Sequence, residues 1–242
     1  MSLRSKVDGQ PAYVLHSYPF RETSLIVEVF SRDFGRVSLL ARGARRPRSA
    51  IRGLLMAFQP IEVAWAGKGE VLNLMKAEWL GGQPLLGGEA LFCGYYLNEL
   101  LIHLLPREDA HERLFHHYGR ILKRLADDAS SQAREAALRS FEKTLLQELG
   151  YGLMLDRDSL GEAVLPNAWY SYRMEQGPVR LEHAEAAAQV VSGQTLLDLE
   201  AEDFSDPRSR LEAKALMRTL MAYYLAGVEL ETRKIFKELQ EL

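Results

Sequence analysis

The sequence predicts an α+β chain, with a small five-stranded β-barrel over residues 1–80 and a mainly α-helical domain with a small β-hairpin over 81–242. Three observations carry this. Up to about residue 80, β-branched and aromatic residues alternate with polar ones at period two, between short turn signals. The stretch "LGGQPLLGG" (80–88), with four glycines and a proline, then breaks the pattern. Beyond it, apolar residues recur at helical spacing.

Strands are expected at 11–18 ("PAYVLHSY"), 23–31 ("TSLIVEVFS"), 35–42 ("GRVSLLAR"), 59–66 ("QPIEVAWA") and 70–79 ("EVLNLMKAEW"). "RDFG" joins the second to the third and "GKG" the fourth to the fifth, both of hairpin length with glycine available for positive φ. Only the connection from Gly43 to Phe58 is long, with a helical turn near "SAIRGLLM". Five short strands with one long connection in the middle describe an oligonucleotide-binding (OB) type barrel, and a small SH3-like barrel shares the pattern.

Glu89–Leu105 is apolar around most of its circumference and reads as a buried helix. Amphipathic helices follow at 109–126 and 133–149, the latter with Leu138, Phe141, Leu145 and Leu149 on one stripe and Gly150 as the residue that ends it. Residues 168–183 read as an isolated hairpin turning at Gln176-Gly177, and helices near 193–200, 208–226 and 230–241 complete the pattern.

With 242 residues, 47% of them hydrophobic, the chain can bury a substantial core. Its longest apolar stretch is interrupted by Asn98, Glu99 and His103, and "MSLRSKVDGQ" has no apolar run, so neither a membrane span nor a signal peptide is expected and the protein reads as cytoplasmic. The single cysteine, Cys93, excludes an intramolecular disulfide and reads as a small buried hydrophobe. The formal charge of −3 hides a division. Residues 1–80 carry twelve Lys and Arg against seven Asp and Glu, a net of +5, while the remainder has a net of −8.

Specific enzyme signatures are missing: no phosphate loop, no GxGxxG after a strand, no GxSxG elbow, no HExxH. His111, His116 and His117 lack a completing ligand set, so no metal or other cofactor is expected, and Glu99 with His103 at i, i+4 reads as a satisfied hydrogen-bonded pair or an interface contact rather than acid–base chemistry. The strongest functional signal is "ARGARRPRSAIRG" (41–53), with Arg42, Arg45, Arg46, Arg48 and Arg52 and no acid. It lies on the long connection of the barrel, and arginine's planar fork binds phosphate bidentately and stacks on bases. With Arg36 and Lys68 these five are the candidate nucleic-acid contacts; a solvated loop is the bland alternative. Tyr18, Phe20 and Phe34 either stack bases or pack the barrel. An RNA-binding module in RNA processing or translation fits the composition equally well.

The order "YVLHSYPFRETSLIVEVFSRDFGRVSLLARGAR", "LLMAFQPIEVAWAGKGEVLNLMKAE", "GYYLNELL" and "FEKTLLQELGYGL" resembles the RecO family of bacterial recombination mediators, over nearly the whole chain. The resemblance implies a non-enzymatic, nucleoid-associated protein of DNA repair and recombination. It would bind single- and double-stranded DNA, anneal complementary strands, engage the C-terminal tail of the single-stranded DNA-binding protein SSB, and with RecR promote RecA loading. Arg139 of "ALRSFE" matches the residue that pairs with that tail; Leu114, Tyr118 and Leu138 are the candidate apolar wall. Many RecO-like proteins carry a four-cysteine zinc module after "LGYG". Residues 153–183 contain no cysteine, so zinc is not carried over, and Trp169, Tyr170 and Tyr172 are expected to hold that segment by packing.

Overall fold

The computed structural model describes residues 5–128, 130–183 and 190–240. Two compact units are present: Met1–Asp127 together with Leu230–Leu242, and Asp128–Glu229.

In the first unit, β1 (Ser5–Phe20), β2 (Ser24–Ser31), β3 (Gly35–Ala41), β4 (Pro60–Gly67) and β5 (Val71–Trp79) close a barrel in the order β1-β2-β3-β5-β4. β1 pairs with both β2 and β4, and β3 runs parallel to β5 through Ser38↔Val71, Leu39↔Leu72 and Leu40↔Asn73. This is the expected OB-type barrel. Inward positions at period two, among them Val27, Val29, Val37, Leu39, Ile61, Val63 and Trp65, fill its interior. The first strand begins at Ser5 rather than 11, because Ser5, Lys6 and Val7 pair with Gly67, Ala66 and Trp65 of β4. The irregularity that follows is absorbed at Gly9, whose φ is +63°. A 3₁₀ turn at Ala50–Gly53 stands where a helical turn was expected.

The strand-to-helix change at residue 81 falls inside this unit. α1 (Gly88–Leu104) buries Leu97, Leu100 and Leu101, and α2 (Glu112–Asp127) buries Leu114, Tyr118, Ile121 and Leu122. α6 (Glu231–Gln240) belongs here too. Glu99 does not pair with His103. Its carboxylate instead accepts the Glu231 N–H at 2.6 Å and the Thr232 N–H at 3.1 Å, capping the free donors that begin α6. Cys93 is half-buried rather than fully buried.

The second unit is built around α3 (Ser131–Glu148), with α4 (Gly193–Ala201) and α5 (Pro207–Tyr224). Its expected end holds: the Gly150 N–H donates to Gln147 O and the Tyr151 N–H to Leu146 O, with Gly150 at φ +81°. The stripe expectation needs correction. α3 is buried nearly all round, so Arg139, Ser140, Glu142 and Lys143 lie inside, while Leu138 and Leu149 are only half-buried. β6 (Trp169–Arg173) and β7 (Gly177–Leu181) form the expected hairpin, though not an isolated one, because β8 (Val191–Ser192) pairs with the other edge of β6. Tyr170 is fully buried and its hydroxyl accepts the Leu165 N–H at 2.9 Å, while the Arg208 guanidinium lies 4.7 Å from the Trp169 ring centre. A four-cysteine zinc module does not fit this hairpin, which has no thiol. Among the described residues no helix is long and apolar enough to cross a membrane.

Candidate nucleic-acid interface

The arginine loop is anchored from beneath and free on its outside. Ala41 ends β3 in the barrel core, Ala44 is fully buried, and Leu55 returns the chain to the core. Between these anchors the Arg45 N–H donates to Thr23 O at 2.8 Å, the Arg46 N–H to Gly43 O and the Ser49 N–H to Arg46 O. Successive turns therefore leave the long side chains nowhere to go but outward. Arg42, Arg45, Arg46, Arg48 and Arg52 are all exposed, and among the described residues none makes an ion pair. The loop abuts the β1–β2 turn: Arg45 Nη1 donates to Arg21 O at 3.2 Å, and the Arg21 guanidinium sits 5.2 Å from the Phe20 ring centre.

Arg36 and Lys68 lie elsewhere. Arg36 is six residues before Arg42 on β3, about 20 Å along an extended strand. It is half-buried, its Nε donates to Leu105 O at 3.2 Å, and its Nη1 lies 3.6 Å from the Glu28 carboxylate. Burial, then the charge of Arg107, lowers its pKa below the ordinary arginine value despite Glu28. Lys68 shares with Arg36, Ser38, Glu70, Arg107 and Glu108 a cleft of about 520 Å³. Opposite charges there nearly balance, unlike the acid-free loop.

Strands 2 and 3 form the face through which OB barrels bind oligonucleotides. Here half of that face is closed. Its outward residues are Ile26, Glu28 and Phe30 on β2 and Arg36, Ser38 and Leu40 on β3, facing away from the core positions between them. Phe30 packs edge-on against Phe115 and Tyr118 of α2, with ring centres 5.5 and 6.3 Å apart. Glu28 Oε1 accepts from Ser38 Oγ at 2.6 Å and from Arg107 Nη2 at 2.9 Å, and the Glu108 N–H donates to Arg36 O. Gly35, at φ +63°, permits this approach, since a Cβ there would lie 1.7 Å from Asp109 O. Glu28 was visible in sequence only as one polar residue in an apolar run; nothing local announced Arg107.

Leu114 and Tyr118 are fully buried in the first unit, with the Tyr118 hydroxyl donating to Asn98 Oδ1 at 2.5 Å. Burial places them in its core, which corrects their assignment to an accessible apolar wall. Leu138 and Arg139 are in the second unit. Arg139 is buried and its Nη2 donates to Glu142 Oε1 at 2.5 Å. Lys143, unremarked in the sequence, donates to Leu199 O at 3.2 Å and lies 3.3 Å from the Glu200 carboxylate.

Comparison with known proteins decides the family. Residues 8–82 match the family model for the recombination protein O N terminal region, and residues 86–234 that for its C terminal region. The chain belongs to the RecO family. It is 78% identical over 242 residues to the DNA repair protein RecO of Dechloromonas aromatica (strain RCB), with all of both chains covered. It is 54% identical to the DNA repair protein RecO of Aromatoleum aromaticum and 52% identical to that of Azoarcus sp. (strain BH72), again with both chains fully covered. The RecO N-terminal match coincides with the barrel, so the arginine loop lies within it, and the C-terminal match begins just before α1.

Proposed function

We propose that this chain is a non-enzymatic recombination mediator that binds single- and double-stranded DNA through its arginine loop and anneals complementary strands. The observation that carries this reading is the set of five exposed arginines, without ion pairs among the described residues, pinned to an OB-type barrel of a family whose members are named DNA repair proteins. Cations so placed neutralise phosphates and release counterions, giving binding that depends weakly on sequence and steeply on salt. Two like-charged strands then approach on a screened surface, and base pairing supplies the free energy without nucleotide hydrolysis. The second unit takes the acidic tail of SSB beside Leu138, and Arg139 joins only when an incoming carboxylate displaces Glu142 and the buried guanidinium turns outward. With RecR the protein promotes loading of RecA.

Salt titration of binding to an oligothymidylate tests the reading. Replacing Arg45, Arg46 and Arg48 by alanine removes three phosphate contacts and should lower the slope of log K against log salt by about 0.7 for each, roughly two in all. Annealing should slow in parallel. A folded variant with the parent's slope and annealing rate would reduce the loop to a solvated surface; tighter binding of an RNA oligomer than of DNA would favour RNA instead.

A further inference from the structure

The outer edge of β1 carries a line of rings that the barrel core does not use. A shift in register between Val14 and His16 changes which side chains face out, so that His16, Tyr18 and Phe20 lie opposite Glu28, Ile26 and Ser24, on the outer side of the barrel. They stand at alternate positions of one strand, about 7 Å apart. His16 is exposed, Tyr18 is 44% exposed and Phe20 is half-buried. The His16 and Tyr18 ring centres are 4.4 Å apart, and Arg21 lies over Phe20. Ile26 and Leu40, which pair with each other across β2 and β3, continue outward from Tyr18 as a half-buried apolar floor.

Cations bound this strip on one side. At the Phe20 end stand Arg21 and, hydrogen-bonded to its carbonyl, Arg45 of the arginine loop. At the His16 end the strip stops where Glu28, Ser38 and Arg107 close the rest of the face. An exposed tyrosine in line with two further rings, next to guanidinium groups that make no ion pair among the described residues, has the chemistry of a surface that stacks bases and holds the phosphates between them. A duplex keeps its bases paired and inside, so it cannot use the rings.

We propose that His16, Tyr18 and Phe20 form a base-stacking track for single-stranded DNA along β1, beside the arginine loop that takes its phosphates. The track rests on the DNA-binding reading above and adds to it a preference between strand forms. Single strands engage rings and arginines, whereas duplexes engage arginines alone.

Fluorescence anisotropy of labelled oligothymidylate and of a mixed-sequence duplex, with the full chain, tests this. Tyr18→Ala should weaken oligothymidylate binding roughly five- to 150-fold, the range for loss of one stacked base. Duplex affinity and the salt slope should stay at the parent's values. Tyr18→Phe should bind as the parent does. Tyr18→Trp should also bind, with its indole emission quenched by oligothymidylate and not by duplex, a readout that survives any modest change in stability. Equal losses on both DNA forms, or a loss confined to oligouridylate, would overturn the track. Binding that depends on Arg45, Arg46 and Arg48 but is indifferent to Tyr18 would overturn it alone, leaving the DNA-binding reading standing; a parent that binds neither DNA form would overturn both.

Discussion

Glu28 and Arg107 meet across seventy-nine positions of sequence, the carboxylate on the outer face of β2 accepting a 2.9 Å hydrogen bond from the guanidinium beyond α1. That contact, with Ser38 and Arg36 around it, fastens residues 105–109 over the barrel. Its two partners are unequal: the Glu28 side chain is 5% exposed and that of Arg107 is 43% exposed.

Glu28→Ala should therefore destabilise by about 3 kcal/mol or more, because it removes the buried carboxylate that faces both the half-buried Arg36 and Arg107. Arg107→Ala should cost no more than about 1 kcal/mol, since Glu28 keeps Ser38 and Arg36 and the lost group is near solvent. Chemical denaturation of the two variants checks the order; equal costs would contradict it.

Gly35→Ala should cost more than Gly9→Ala, although both glycines have φ +63°. A Cβ at Gly35 would strike the Asp109 carbonyl, while at Gly9 the nearest atom would be a Glu62 carbon at 3.9 Å. Strain alone, about 1 kcal/mol, is expected at Gly9, and strain plus displacement of the 105–109 segment at Gly35. Thermal midpoints of the two variants decide this.

Glu212 makes an acid-side prediction. Burial alone would raise its pKa, but hydrogen bonds from the Ser192 N–H, the Arg208 guanidinium and the Thr195 hydroxyl outweigh it and hold the carboxyl below the usual 4.5. A depressed folded pKa contributes stability that is present above the unfolded value and is lost as pH falls through the folded one. The stability gap between parent and Glu212→Gln should be widest at neutral pH and should close as pH falls below about 4.5. Urea titrations at several pH values measure it.

Tyr172 gives the alkaline counterpart. Burial, with Tyr224 adding to it, pushes its hydroxyl up to about 12 from 10.0. Stability linked to the neutral phenol is full below pH 10 and is lost as pH climbs toward 12. Spectrophotometric titration should show a late tyrosine phase that loses one group in Tyr172→Phe.

The barrel was legible in sequence because its signal is local: alternation sets inward and outward positions, and "RDFG" and "GKG" set the turns. The arginine loop was legible for the same reason, since five cations in thirteen residues need no fold to be seen. What escaped was settled by distant groups. The opening of β1 contains Asp8 and Gly9, poor strand formers, and is extended because β4 lies beside it. Two residues of β8 carry no pattern of their own. Glu99 looked four residues ahead to His103, yet its partners are more than a hundred and thirty residues away. Nothing local announced that Arg139, Glu142 and Lys143 lie inside: Arg139 donates to Glu142 and Lys143 to Leu199 O of α4, and these partners let α3 carry them there. Leu114 and Tyr118 had the right chemistry for an apolar wall and the wrong accessibility.

The cap that Glu99 places on α6 ties the order of synthesis to the order of assembly. Domains generally fold as units, the N-terminal one first, while the chain is still being made. The barrel and its first two helices emerge early, but the segment from Leu230 that completes their unit is translated only after the whole of Asp128–Glu229. Until then the Glu99 carboxylate waits without the α6 donors. In sequence the second unit is an insertion between the two segments of the first, so the first has all its residues only once the second has been made. A ribosome-stalled chain ending near residue 228 should hold a formed barrel and an unfinished unit around it, and release of the remaining residues should be the step that makes that unit resistant to protease.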